Sequence, residues 1–260
     1  GIGMQAMANI EDHETTRPYS CTHQQLVSEN YRFDIAITSR LSTMKMIVFQ
    51  QLMADDVPGM AAMEAAAWGR LGASEKTIHH RLSLGHTMIL AMVENLVAGA
   101  ICFVETSQDP HDTGRFPKTF SAYSSLARSR PARSLYVYNL GVRPEFRGTD
   151  MARRLLSQMS DYGRQVGARW LVGDGRCPSY AGAQDELPDK VRPDPEFRRT
   201  IDDWHRTGVM PSVESITRDP LLRFYNRVLR CEFLHLASDF LPEDMSSGGF
   251  RVIFAVDLAR

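Results

Sequence analysis

The residues best placed for chemistry lie in one stretch, Val142-Arg143-Pro144-Glu145-Phe146-Arg147-Gly148-Thr149-Asp150-Met151-Ala152-Arg153-Arg154-Leu155-Leu156. Pro144 has no N–H for a β ladder, so the β-branched and aromatic run before it, Ser134 to Val142, should stop there. Arg147-Gly148-Thr149 reads as a tight turn, and Met151, Leu155, Met159, Tyr162 and Val166 follow at helical spacing. A strand that turns through small residues into a helix leaves the first helical N–H groups unpaired. Those groups and the helix dipole attract a phosphate or pyrophosphate. The plainer reading is an ordinary strand-turn-helix connection with Asp150 as N-cap. Other reactive side chains are less organised. His79, His80 and His205 suit a surface, and Trp204 suits packing. Cys21, Cys102, Cys177 and Cys231 are scattered without metal-ligand spacing. Cys177 has no predicted His partner and reads as an inert thiol rather than a nucleophile.

The elements that must position this loop can be read on either side of it. Ser134 to Val142 is the strand before it, and Gly167 stands where the following helix should end. Arg169 to Gly173 is the next strand, running into Asp174-Gly175-Arg176-Cys177-Pro178-Ser179-Tyr180. This β-α-β order predicts a parallel pair with a right-handed crossover. Ligands of such sheets bind at the carboxyl ends of the strands, which puts the loop and the segment Asp174 to Tyr180 side by side. Upstream, Met44 to Gln50 suits a strand. Asp55-Asp56-Val57-Pro58 starts a helix through Trp68, and Ser74 with Thr77 opens a second through Leu84. Thr87 to Val93 and Leu96 to Glu105 are strands joined by Glu94-Asn95. Residues 108–133 form a Pro-punctuated insert whose Phe116, Phe120 and Tyr123 either cover a cleft or pack on the sheet. Downstream, 178–215 is a second, charged insert with one helix, Glu196 to Arg206. Asp219-Pro220 caps a helix through Val228. Glu232 to Ala237 and Phe250 to Leu258 are strands, joined through a surface loop from Pro242 to Gly249.

The chain has 260 residues, 43% of them hydrophobic, and a formal net charge of −1. That supports a sizeable core and provides no global field for nucleic acid or an anionic membrane. No apolar run is long enough for a membrane span, and the N-terminus lacks the order of a secretory signal, so a cytoplasmic location is expected. Residues 1–40 read as a polar, partly ordered extension with a short helix near His23 to Glu29, ahead of one domain over 41–260.

Val-x-Pro-x-x-Arg-Gly ahead of a helix rich in Arg and Leu resembles the acyl-CoA signature of the GNAT acetyltransferase superfamily, Arg/Gln-x-x-Gly-x-Gly/Ala. Arg147 and Ala152 match its ends; Asp150 stands in place of the central Gly, where a carboxylate would repel a pyrophosphate. The order of elements over Lys45 to Leu258 is similar too. The resemblance implies an α/β (α+β) GNAT fold: a mixed, mostly antiparallel sheet whose central parallel pair splays around the motif loop, with helices on both faces. It also implies that acetyl-CoA or another acyl-CoA is held by Leu140, Val142, Arg147, Gly148, Thr149, Asp150, Met151, Ala152 and Arg153. Asp219-Pro220-Leu221-Leu222-Arg223-Phe224-Tyr225 resembles the family's last helix, whose Tyr faces the thiol. Tyr225 is then the acid that protonates the leaving thiolate. Asp174, at a strand end, is the candidate base for an amine acceptor.

Pro117-Lys118-Thr119-Phe120, Gly175-Arg176-x-Pro-x-Tyr180 and Leu241-Pro242-Glu243 are similar to GNAT domains beside nitrilase-like hydrolases and to the GNAT-like loading domains of polyketide synthases. The latter implies an alternative: decarboxylation of a malonyl-type thioester, carried on malonyl-CoA or on the phosphopantetheine of an acyl carrier protein. Asn139 and Tyr225 would then stabilise the enolate. That group has a His where this chain has Tyr225. A pantetheine on a carrier lacks the pyrophosphate that Asp150 would repel. A third reading is a catalytically degenerate scaffold. The expected partner is thus a small-molecule acceptor or a carrier protein, with no nucleic acid, membrane or metal.

Overall fold

The computed structural model describes residues 46–182 and 191–259, so the N-terminal extension expected over 1–40 lies outside the described residues. The described chain begins with strand β1 (Ile47–Gln51), followed by helices α1 (Val57–Trp68) and α2 (Glu75–Ser83). Strands β2 (Thr87–Val93) and β3 (Leu96–Thr106) lead into the insert, which holds a single turn, α3 (Phe120–Tyr123). Then come β4 (Ser134–Val142), α4 (Met151–Gln165), β5 (Trp170–Gly175), α5 (Pro195–Thr207), α6 (Val213–Ile216), α7 (Pro220–Leu229), β6 (Glu232–Ala237) and β7 (Arg251–Asp257). The seven strands form one sheet in the order β1-β2-β3-β4-β5-β7-β6. All neighbours are antiparallel except β4 and β5. This is the expected mixed sheet.

Helices cover both faces. Leu155, Leu156 and Met159 of α4 and Leu221, Leu222 and Tyr225 of α7 pack on one face with Leu135, Val137, Val252 and Phe254. Met60, Met63 and Trp68 of α1, Ile78 of α2 and the insert residues Phe116, Phe120 and Tyr123 pack on the other. Sequence alternation sorts β7 between the faces: Val252, Phe254 and Leu258 go to the first core, Ile253 and Ala255 to the second. The α4 stripe is fully buried at Leu155 and Met159, where truncation to Ala should cost roughly 2–5 kcal/mol.

Two features of β4 and β5 set up the site. Parallel pairing covers only Ser134–Val137 against Trp170–Gly173. Past that point β4 bulges: Asn139 opposes Cys102 and Val137 opposes Phe103, so Tyr138 is the extra residue. The bulged strand turns toward β3 and leaves β5 to pair with β7 alone. The Tyr123 hydroxyl lies 3.0 Å from the Val137 carbonyl and 3.1 Å from the Val172 carbonyl, joining the strands where they part.

The described structure corrects three expectations. The Pro242 to Gly249 connection is only partly a surface loop: Pro242, Glu243, Met245 and Gly248 are exposed, but Asp244, Ser246 and Ser247 are buried. Three charged or hydroxylated residues there bond into the sheet, a network with no periodic sequence signal. Asp150 occupies the N-cap position of α4 but makes no side-chain cap bond; Thr149 Oγ1 instead accepts from Met151 N at 3.3 Å. The 178–215 insert carries a second short helix, α6, opened by Ser212, whose hydroxyl accepts from Ser215 N.

Candidate active site

The motif loop is built from backbone. Gly148 has φ +74° with open space around its missing Cβ, a conformation that L-residues avoid. Thr149 Oγ1 donates to Phe146 O at 2.7 Å and fixes the last turn before the helix. Arg147 reaches back: Nε donates to Val142 O at 3.3 Å and Nη2 to Ala67 O at 3.0 Å, fastening the loop to the ends of β4 and α1. Arg143 Nε donates to Val97 O at 2.8 Å. Met151 and Ala152 are buried, whereas Asp150 and Arg153 are exposed. Thr149 takes the first amide of α4, at Met151, and Asp150 caps none, so the next amides and the dipole keep their affinity for an anion. The exposed carboxylate of Asp150 sits in the same turn.

The opposite edge of the opening is built from side chains. Gly173 and Gly175 turn their missing Cβ atoms toward Phe254 and Leu222, so Asp174 between them points to the other face, that of α1 and α2. Asp174 is fully buried, and neither carboxylate oxygen has a hydrogen-bond partner. Burial lifts its pKa to about 7, against the pull of the Arg251 guanidinium. Arg251 Nε is 3.7 Å from Asp174, while its Nη1 donates to Asp244 at 2.8 Å. Arg176 Nε also donates to Asp244 at 2.7 Å, and its Nη2 reaches Asp244 and, at 2.6 Å, Ser246. Burial opposes ionisation of Asp244, but the two guanidiniums outweigh it and hold the carboxyl well below its usual range. Arg176 Nη1 and Arg251 Nε and Nη2 remain without a hydrogen-bond partner.

Tyr225 lies on the other face of the sheet. Asp219 caps α7 by accepting from Leu221 N and Leu222 N, and accepts from Ser179 N at 2.8 Å. That bond ties the helix to the segment after β5. A Cβ on Gly175 would fall 2.6 Å from Leu222, so the glycine lets α7 lie close on the sheet. Tyr225 is fully buried and stacks on Phe254 with ring centroids 5.0 Å apart. Burial and then the Asp174 charge push its phenol well above the usual value. Tyr225 and Asp174 therefore lie on opposite faces of the sheet, Tyr225 against the β7 partner of Gly173.

The other predicted site residues fall as follows. Leu140 and Val142 turn apolar side chains into the α4 core, so only their backbone can meet a ligand. Asn139 points to the α1 face, where its Nδ2 donates to Glu64 and its Oδ1 has no partner. It is not brought beside Tyr225. Cys177 is buried and its thiol is pushed up by burial, which suits an inert thiol. Among the described residues, sequence reasoning passed over Glu64, Arg251 and Asp244, and named Arg176 only as part of a motif, without a site role. Arg251 alternates with the apolar residues of β7, and an Arg at an inward strand position was the available signal.

No family model and no curated protein matches the sequence. Solved structures do. A GNAT-like decarboxylase, GphF, in complex with isobutyryl-CoA superimposes with a TM-score of 0.62 at 22% identity, over 81% of this chain and 99% of that one. The loading GNATL domain of CurA from Lyngbya majuscula gives 0.62 at 19% identity, over 82% and 98%. The ribosomal-protein-S18-alanine N-acetyltransferase of Escherichia coli gives 0.47 at 13% identity, over 82% and 94%. The chain has the GNAT fold. The β4–β5 opening falls within that shared fold, and the loop Arg147 to Arg153 is the stretch whose sequence resembles the GNAT signature, with Asp150 out of pattern. No described helix is long and apolar enough to cross a membrane.

Proposed function

We propose that the chain is an acyltransferase that moves an acetyl or other short acyl group from an acyl-CoA to a small amine acceptor. One observation carries this reading: Asp174, with a pKa of about 7, follows Gly173, where the parallel pairing ends, and Tyr225 packs on the opposite face against Phe254, the β7 partner of Gly173. The α4 amides and the turn at Gly148 fit a phosphate group, and the β5-facing edge of β4 beyond Val137 pairs with no described strand. That edge suits the amides of a pantetheine arm. The amine attacks the thioester carbon from the α1 face and passes its proton to Asp174, which is half ionised near neutral pH. Backbone N–H groups of β4 polarise the carbonyl. The C–S bond breaks, and Tyr225 protonates the thiolate on the α7 face. A phenol held above its usual value keeps its proton until negative charge builds on the departing sulfur, which is when the acid is needed.

A second reading is favoured by the buried N–H groups of Arg176 and Arg251 that have no partner. A malonyl-type thioester could set its free carboxylate there before losing CO₂, with Tyr225 stabilising the enolate. The fold is the one shared with a GNAT-like decarboxylase. The deciding experiment gives the protein acetyl-CoA, malonyl-CoA and a panel of amines, and follows thiol, CO₂ and acyl product by mass. Acylated amine with free CoA supports transfer. Release of CO₂ from malonyl-CoA without an amine supports the second reading. Neither product from any thioester defeats both and leaves a scaffold.

A further inference from the structure

A cleft of about 580 Å³ opens on the α1 and α2 face of the sheet, between α2, the insert and the β6–β7 connection. One wall carries Arg81, at the end of α2; the insert contributes the hydroxyls of Thr119, Ser121, Ser124 and Ser125; Asp239 and Glu243 stand on the third side. Arg81 is 94% buried by its 6% exposure, yet no carboxylate among the described residues lies within salt-bridge distance of it. Its guanidinium carbon sits 4.7 Å above the Tyr138 ring, which orients the group without using its N–H donors. The acid nearest in charge is Glu64. Its carboxylate already accepts from Ala73 N at 3.0 Å and from Asn139, and burial raises its pKa. Arg81 is therefore a largely buried guanidinium fork beside a cavity, and none of its side-chain donors bonds a described residue.

Glu64 acts on this charge only from beyond salt-bridge distance; burying a guanidinium whose donors make no bond is costly, and its planar fork matches a carboxylate through two parallel bonds. Asp239 and Glu243 are exposed, where water and salt screen them, so they weigh less on an incoming anion than Arg81 does. We propose that this cleft is a binding site for a ligand carboxylate, with Arg81 as its counter-ion and the insert hydroxyls as further donors. The place of that carboxylate in catalysis rests on the acyl-transfer reading above. It belongs either to an amino-acid-like acceptor or to the acyl part of a malonyl-type thioester.

The test has an arm that needs no turnover. Free malonate, titrated at constant ionic strength, should raise the Tm of the wild-type protein, and Arg81→Gln should abolish that rise. Two further arms find the source. One compares binding of malonyl-CoA with butyryl-CoA, and the other compares an amino-acid acceptor with its amide. Arg81→Gln should weaken only the carboxylated member of one pair, by about tenfold to a hundredfold, the usual loss for a charged hydrogen bond. Arg81→Lys, which keeps charge without the fork, should fall between, and it decides the matter if Arg81→Gln does not fold. Unchanged carboxylate preference in a folded Arg81 variant overturns the proposal, as does a wild type that prefers no carboxylate in any arm. Failure of every CoA thioester to bind would instead defeat the acyl-transfer reading and leave the malonate result standing.

Discussion

The two rims of the splay are made of different material. On the β4 side the ligand would meet backbone: the bulge at Tyr138, the left-handed turn at Gly148 and the first-turn amides of α4 beyond Met151. On the β5 side it would meet side chains: Asp174, Arg176, Arg251 and Asp244, all buried and sharing two guanidiniums between two carboxylates. The comparison teaches how each rim tolerates change. A backbone site survives most substitutions, because any residue supplies an N–H. A buried charge cluster does not, because removing one member strands another.

Substitutions should expose that asymmetry, the largest effects falling on the side-chain rim. Asp174→Asn should lower the acyl-transfer rate by about 10²- to 10⁴-fold if Asp174 takes the amine proton. In the wild type kcat/KM should fall as pH drops through about 7, and Asp174→Asn should lose that limb. A flat profile in the wild type would remove Asp174 from the base role. The same carboxyl also sets a stability slope. Its folded pKa lies above the unfolded value, so folding is favoured with the proton on, and the contribution fades as pH rises from about 4 to about 7. Asp174→Asn should flatten that part of a Tm-against-pH curve.

Asp244→Ala should cost roughly 3–5 kcal/mol in denaturant unfolding, since it leaves Arg176 and Arg251 buried without their carboxylate. Asp244 has a depressed folded pKa. Its stabilisation is present above the unfolded carboxyl value and is lost as pH falls below it, the opposite slope to Asp174. Tyr225→Phe should slow thiol release about tenfold or more, with binding of the thioester retained. An unchanged rate would take the acid role from Tyr225. On the backbone rim the effects should be small. Gly148→Ala should cost about 1 kcal/mol from its left-handed backbone, read by thermal unfolding. Asp150→Gly should leave stability nearly unchanged and tighten CoA relative to pantetheine in a binding titration; equal affinities before and after would show that the carboxylate does not meet the pyrophosphate.

The same asymmetry explains what the sequence could tell. The backbone rim was legible because turn chemistry is local: Pro144 stops a strand, Gly148 turns and Met151 begins a 3.6-residue stripe, all within ten positions of one another. The strands, the β-α-β crossover and the caps at Ser74 and Asp219 were legible for the same reason. The side-chain rim was not. Arg176 and Asp244 are 68 positions apart, and nothing local to either marks the other. Asp174 could be proposed as a strand-end acid, but its raised pKa comes from burial under a loop that reads as surface. Asn139 shows a different difficulty: a bulge changed the face it points to, and strand alternation alone does not foresee a bulge.

Tyr123 joins these rims to the cleft. Its hydroxyl holds the Val137 and Val172 carbonyls, and its own helical turn contributes Phe120 and Ser121 to the cleft wall. One short helical turn thus serves both places: its last residue bridges the two strands where they part, and its first two line the cleft.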